Sequence, residues 1–121
     1  MVMMPDSAAE QAIQFPGVRS FVPRDGVILK WAYPSLTVGP DYLMITTIGP
    51  PWTVFLKDVS TIVFDRKAVL IRQSNGVSAR FKAIPRTIQE TESEFDRRGI
   101  GFTKSNRSTY GEVNALPWAT N

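Results

Sequence analysis

The chain has 121 residues, about one ordinary domain, with 14 Lys and Arg against 11 Asp and Glu. It contains neither histidine nor cysteine. Those two absences exclude disulfides, thiol nucleophiles, Cys/His zinc sites and Ser-His-Asp relays, so we predict no metal and no other cofactor. No run approaches the ~18 apolar residues of a membrane span, and the first residues show no secretory signal. We therefore expect a cytoplasmic protein, either free or peripheral to a membrane.

Prolines and polar residues predict a tail at each end of the chain. Three prolines interrupt the first stretch, which shows no sustained hydrophobic period, so residues 1–23 are predicted to be a flexible tail. Residues 103–121 are polar and are predicted to be a second flexible tail. The ordered domain is then predicted to span residues 24–102.

Seven short apolar or alternating segments predict that this domain is mainly β. Turn-forming residues separate the segments about every 8 to 12 residues, which is typical of a small antiparallel barrel or sandwich. The predicted strands are Val27–Ala32, Ser35–Val38, Tyr42–Ile48, Trp52–Leu56, Ser60–Phe64, Val69–Arg72 and Val77–Ala83.

The last two predicted strands form a hairpin whose register can be read from the sequence. Residues 74–76 suit a three-residue loop with Gly76 in the left-handed conformation. This register pairs Val69 with Phe81 and separates apolar from polar side chains, whereas a two-residue loop would mix the two sets. The predicted solvent-exposed face then carries the basic side chains Arg72, Arg80 and Lys82.

After Pro85 the apolar period changes from two to about 3.6, which predicts a helix. Thr87 and Glu90 form a capping-box pattern, which predicts Thr87 as the N-cap. Gly99 is the predicted C′ residue, and Phe95 is spaced for the apolar contact of a Schellman end. The helix is the last element of the predicted domain.

The order of these elements suggests a small barrel with one open end capped by the C-terminal helix. The corner at residues 56–59, the turn at residues 75–76 and the strand at residues 80–84 resemble bacterial pleckstrin-homology-like domains. The resemblance covers about residues 35–101 and implies a scaffold whose relatives bind phosphoinositides, peptides or proteins. Phosphoinositide binders carry basic residues in the first hairpin, where this chain offers mainly Lys30, so the resemblance implies no dedicated inositide site.

A basic stretch is the first candidate site. Six Lys and Arg lie between positions 66 and 86, next to a single acid, Asp65. Such a stretch could meet an anionic membrane surface or a nucleic-acid backbone, although an ordinary solvated strand face is the favoured interpretation. The candidate residues for binding an anion or a partner are Arg66, Lys67, Arg72, Arg80 and Lys82.

Aromatic residues near prolines are the second candidate site. Exposed Trp and Tyr beside Pro can form a peptide-docking groove, because both residue types are enriched at interface hot spots. Aromatic residues in strands and prolines at turns are also ordinary core and turn residues, and this interpretation is favoured. The candidate partner contacts are Trp31, Tyr33, Trp52 and Trp118.

The remaining carboxylates do not predict a catalytic site. Asp58 and Asp65 border one predicted strand, and the acids of the helix are spread around its axis, so we predict no enzyme. The sequence favours a binding or assembly module that engages a protein partner, including a second copy, because barrel edges pair readily. The alternative is a domain that binds an anionic membrane surface or a nucleic acid through the basic strand face.

Overall fold

The computed structural model describes residues 11–116 of the chain. Within this range, most strands form where apolar and polar residues alternate or where successive residues are all apolar. Ten strands and one α-helix lie in this range. In chain order they are β1 (Ile13–Pro16), β2 (Arg19–Arg24), β3 (Val27–Ala32), β4 (Ser35–Val38), β5 (Tyr42–Thr46), β6 (Trp52–Phe55), β7 (Val59–Phe64), β8 (Ala68–Gln73), β9 (Ser78–Lys82), α1 (Pro85–Arg97) and β10 (Thr103–Lys104), with a 3₁₀ turn at Leu56–Asp58.

The strands pair into two sheets. The first has four strands in the order β1-β4-β5-β6, all of them antiparallel. The second has six strands in the order β10-β7-β8-β9-β2-β3, antiparallel except for the parallel pair of β10 and β7. The prediction of a mainly β fold with a C-terminal helix is therefore confirmed, and all seven predicted strands are present.

Aromatic rings connect helix α1 to the core between the sheets. Phe64 of β7 and Phe95 of α1 meet edge to face with their ring centroids 5.2 Å apart, and Phe102 lies 5.0 Å from Phe64. Phe64 and Phe95 are almost completely buried, as is Phe81 of β9. The helix therefore closes the core, because its buried side chains continue the apolar inner faces of the strands.

The β8–β9 hairpin has the predicted register. Val69 pairs with Phe81, and the Gln73 N–H donates to the Val77 carbonyl at 2.7 Å. Gly76 has a φ of +92°, the left-handed conformation that the three-residue loop requires. The local sequence was sufficient to predict the register because the turn residues and the alternation of apolar side chains indicate the same pairing.

The start of helix α1 differs from the prediction. Pro85 lies in the first turn and Ile84 is the N-cap, without a side-chain capping bond. Thr87 is inside the helix, where its carbonyl accepts a hydrogen bond from the Thr91 hydroxyl at 2.8 Å. The capping-box prediction is wrong because proline, with its preset φ and no N–H, favours the first helical position.

The end of helix α1 has the predicted Schellman geometry. Gly99 adopts a φ of +75°, and the Ile100 N–H donates to the Phe95 carbonyl at 2.9 Å. The Gly99 N–H donates to the Asp96 carbonyl at 3.1 Å. These are the two hydrogen bonds that define the motif.

The described part of the predicted N-terminal tail is folded, so the boundary at residue 24 is wrong. Strand β1 and most of β2 lie before it, and β2 pairs with both β3 and β9. Asp25 and Gly26 form the two-residue turn between β2 and β3, with φ values of +52° and +80°. Pro23 is tolerated because it lies beyond the residues of β2 that pair with β9.

Residues 105–116, predicted to belong to the second tail, instead lie on the outer face of the six-stranded sheet. The Ser105 N–H donates to the Phe64 carbonyl at 2.8 Å. Further along, the Asn114 N–H donates to the Ser78 hydroxyl and the Ser78 N–H donates to the Asn114 carbonyl, both at 2.8 Å. We call residues 105–116 the C-terminal segment. Trp118 lies outside the described residues.

Candidate functional site

Beneath the C-terminal segment, the carboxylate of Asp65 joins three parts of the chain. Its Oδ2 accepts hydrogen bonds from the backbone N–H and the hydroxyl of Thr109, both at 2.7 Å. Its Oδ1 accepts a hydrogen bond from the Lys67 N–H at 2.7 Å. The Arg80 guanidinium lies 3.5 Å from Oδ2 and donates from Nε to the Thr109 hydroxyl at 2.9 Å. The cluster ties the C-terminal segment to β9 and the β7–β8 turn.

This cluster overturns the prediction of an exposed basic strand face. Arg80 is only 3% exposed, because the C-terminal segment covers it and the Tyr110 ring lies 5.7 Å from its guanidinium carbon. Arg72 is half-buried and forms an ion pair with Glu112 at 3.5 Å. Lys82 is half-buried at the end of β9. The three side chains do share a face, but the face is largely covered.

The Asp65 cluster predicts a pH dependence of stability. Burial alone would raise the pKa of Asp65, but hydrogen bonds from Thr109 and Lys67, together with the charge of Arg80, outweigh it and lower the pKa. Because the pKa of Asp65 is lower in the folded state, its ionised carboxylate stabilises the fold at any pH above the pKa of an unfolded aspartate, about 3.9. This stabilisation is lost as the pH falls through the pKa of Asp65 in the folded state. We therefore expect the melting temperature to fall as the pH drops below about 4.

Thermal melts of the wild type and of Asp65→Asn at a series of acidic pH values would measure this effect. The variant lacks the titrating carboxylate, so its melting temperature should fall less steeply below the same pH. Parallel curves for the two proteins would contradict the assignment of the acid sensitivity to Asp65.

The two predicted basic residues of the β7–β8 turn are exposed. Arg66 and Lys67 line a cleft of about 480 Å³, together with residues 106–108 of the C-terminal segment. A second cleft of about 240 Å³ shares Lys67 and contains Lys82. The structure thus brings together three of the five predicted basic residues, whereas Arg72 and Arg80 have acidic partners.

Two further basic residues at these clefts were not among the predicted site residues. Arg107 lines the first cleft and Arg19 lines the second. Both had been assigned to the flexible tails, so nothing in the local sequence pattern placed them near the β7–β8 turn. Only the pairing of β2 with β9 and the path of the C-terminal segment bring them there.

The predicted aromatic contacts occupy different environments. Trp52 is only 8% exposed and belongs to the core, so the prediction that it contacts a partner is wrong; it starts β6 and its side chain faces inward. Trp31 is half-buried and packs against the core. Tyr33 is 83% exposed and has a φ of +54°, an unfavourable conformation for an aromatic residue. Tyr33 is therefore the accessible ring next to β3.

Strand β3 forms an open edge of the six-stranded sheet. It pairs with β2 on one side, and no strand of the described residues pairs with its other side. Val27 is 55% exposed and Ile28 is 45% exposed. Leu29 and Trp31 pack against the core from the face of the strand opposite to Ile28. The edge therefore combines open backbone groups with exposed apolar side chains.

The hairpin geometry indicates which backbone groups of β3 are free. Residues that flank a two-residue turn form a hydrogen-bonded pair, and such pairs alternate along an antiparallel ladder. Arg24 and Val27 flank the turn and form such a pair, so the next hydrogen-bonded pair is Val22 with Leu29. The N–H and C=O groups of Leu29 therefore face β2. The corresponding groups of Ile28 and Lys30 then point to the open edge. These groups are positioned to pair with an added strand.

Acidic side chains do not gather into a metal site in the part of the chain that is described. Across residues 11–116, the helix is too short and too polar to cross a bilayer. The β3 edge and the basic clefts involve different side chains.

The fold is similar to solved structures that share little sequence with it. The Spt16D–Pob3N heterodimer structure matches with a TM-score of 0.60 and 10% identity, over 88% of this chain and 73% of that chain. The C-terminal domain of an unknown protein from Leishmania infantum matches with a TM-score of 0.54 and 12% identity, over 78% and 89% of the two chains. No family model and no curated protein matches the sequence. The first likeness supports the predicted pleckstrin-homology-like fold.

Proposed function

We propose that the chain is a non-enzymatic protein-interaction module whose partner is a second copy, bound through the open edge of β3. The observation that carries the proposal is an unpaired six-residue edge that exposes Val27 and Ile28. Such an edge is a template for an added strand, and natural proteins usually block it with prolines, bulges or charges. β3 contains no proline and only one charged residue, Lys30. The similar solved structure of a heterodimer supports association of this fold with another chain.

The sequence of β3 allows a favourable register for pairing with a second copy. Two copies that pair edge to edge are related by a twofold axis perpendicular to the sheet. The inner and outer faces of the joined sheet are continuous when this axis passes between a residue and its own copy, because side chains alternate between the two faces along each strand. An axis at Leu29 pairs Leu29 with its own copy and Ile28 with Lys30 of the second copy. An axis at Lys30 would place two ammonium groups opposite each other, which destabilises a strand pair. The Leu29 register also matches the free backbone groups of Ile28 and Lys30.

Opposite charges placed at position 28 test this register. Ile28→Lys would place a second lysine opposite Lys30, at two symmetric positions. Each such pair costs up to about 1 kcal/mol, so the dissociation constant of the dimer should rise about 30-fold. Ile28→Glu would place a carboxylate opposite Lys30 and should retain the dimer. Light scattering and sedimentation across a concentration series would measure the mass, which is 13.5 kDa for one chain.

Ile48→Lys is the matched control, since Ile48 is 92% exposed and lies outside the strands. This variant should dimerise like the wild type. A wild type that stays monomeric at every concentration would refute the proposal. Equal loss of the dimer in Ile28→Lys and Ile28→Glu would refute the Leu29 register.

The membrane and nucleic-acid alternative loses the surface that was predicted for it, because Arg80 is buried and Arg72 pairs with Glu112. The bacterial subgroup and the cytoplasmic location remain predictions.

A further inference from the structure

Five basic side chains gather around the two adjoining clefts at the β7–β8 turn. The clefts share Lys67 and Ser108, so they adjoin each other at these residues. The five basic residues are Arg19, Arg66, Lys67, Lys82 and Arg107. All are exposed except Lys82, which is half-buried. We call these two clefts together the basic groove.

None of the five forms an ion pair with an acid among residues 11–116, in contrast to Arg72 and Lys104. Arg72 pairs with Glu112, and Lys104 pairs with Glu92 at 3.2 Å. The acid at the groove, Asp65, is 7% exposed and already accepts hydrogen bonds from Thr109 and Lys67. The positive charge of the groove is therefore not neutralised by the described fold.

One cross-strand pair in the groove is unfavourable in the isolated domain. Arg19 of β2 lies directly opposite Lys82 of β9, so both side chains point to the same face of the sheet. Like charges in this relation destabilise a sheet, because the paired Cβ atoms lie only about 4.5–5.5 Å apart. An anion bound between the two side chains would remove this repulsion. The pair thus points to a ligand of negative charge, independently of the shape of the groove.

We infer that the basic groove binds an acidic segment of another protein, whose Asp and Glu carboxylates meet the five basic side chains. The charges extend along two adjoining clefts that share Lys67, which suits an extended chain with several charges better than a single small anion. The groove is recessed, whereas a bilayer presents a flat surface. No aromatic side chain of the described residues lines the first cleft, so a nucleic-acid base would find no ring to stack on there.

Fluorescence anisotropy with a short labelled peptide rich in Asp and Glu tests the inference. The full chain should bind this peptide at low ionic strength and progressively lose it as salt is added. Lys67→Glu and Arg107→Glu should each weaken binding about fivefold. Lys57→Glu makes the same change of charge at an exposed position outside the groove and should leave binding nearly unchanged.

A stability measurement separates a binding role from a structural one. Arg19→Glu would replace the like-charge pair with an ion pair to Lys82, so the melting temperature should rise while peptide binding weakens. A merely structural role for Arg19 would lower both or leave binding unchanged. Saturating wild type with the peptide should also raise its melting temperature, because the ligand binds the folded state.

Several results would overturn the inference. One is no binding of the acidic peptide at low ionic strength, and another is equal weakening by Lys57→Glu, which would indicate an effect of net charge alone. Tighter binding of single-stranded RNA or of phosphatidylserine vesicles through Lys67 and Arg107 would assign the groove to a different ligand. Because the groove and the β3 edge use different side chains, a failed dimer test would leave this inference unaffected.

Discussion

Replacing Asp65 by alanine is expected to lower the free energy of unfolding by about 3 to 5 kcal/mol. The substitution leaves the guanidinium of Arg80 buried without its carboxylate, and an uncompensated buried charge is among the most destabilising changes in a protein. It also removes the acceptor for the backbone N–H and hydroxyl of Thr109. The C-terminal segment should therefore lose its attachment at Thr109 at the same time as the domain loses stability.

Urea denaturation would measure the loss of stability, and hydrogen exchange would follow the amide protons of residues 105–116. The control is Glu112→Ala, which breaks the exposed ion pair with Arg72 and should cost less than about 1 kcal/mol. If Asp65→Ala cost no more than this control, the Asp65 cluster would not be a main attachment of the C-terminal segment.

Replacing Phe95 by alanine is the second large effect, with an expected loss of about 3 to 5 kcal/mol. Phe95 is completely buried and contacts Phe64 and Phe102, so its removal leaves a cavity where helix α1 meets the core. The neighbouring rings belong to different elements and cannot all move to fill the space. The helix should become the least stable part of the variant.

Circular dichroism during chemical denaturation would measure this loss. The control is Ile84→Ala, an apolar truncation next to the same helix at a position that is 55% exposed, where the expected change is within about 0.5 kcal/mol. Similar losses for the two variants would show that Phe95 does not anchor α1.

The parts of the fold that could be predicted are those determined by neighbouring residues. The β8–β9 register follows from alternation on both sides of Gly76, and the end of α1 follows from Gly99. Both signals lie within a few residues of the structure that they specify. The start of α1 was mispredicted because two local signals competed, and Pro85 outweighed the capping box at Thr87.

The parts that could not be predicted depend on residues far apart in the sequence. β1 and β2 pair with strands that follow them, although Asp25-Gly26 was a local sign of the β2–β3 hairpin. The C-terminal segment has little hydrophobic pattern, because polar contacts to Asp65 and Ser78 hold it in place. The burial of Arg80 follows from that segment and has no signal in its own strand.

The candidate site was predictable to a similar degree. Basic and aromatic residue types selected Lys67 and Tyr33, which are exposed. Residue type alone could not distinguish these exposed residues from Trp52, which is in the core. It also could not identify Arg19 as a residue of the groove, because strand pairing alone brings Arg19 there.

Hydrogen exchange at the β3 edge tests the proposed association most directly. The amide protons of Ile28 and Lys30 point to the open edge, whereas that of Leu29 faces β2. If two copies pair through β3, exchange at Ile28 and Lys30 should slow as the protein concentration rises, while exchange at Leu29 stays nearly constant. Rates at Ile28 and Lys30 that do not change with concentration would contradict the proposal.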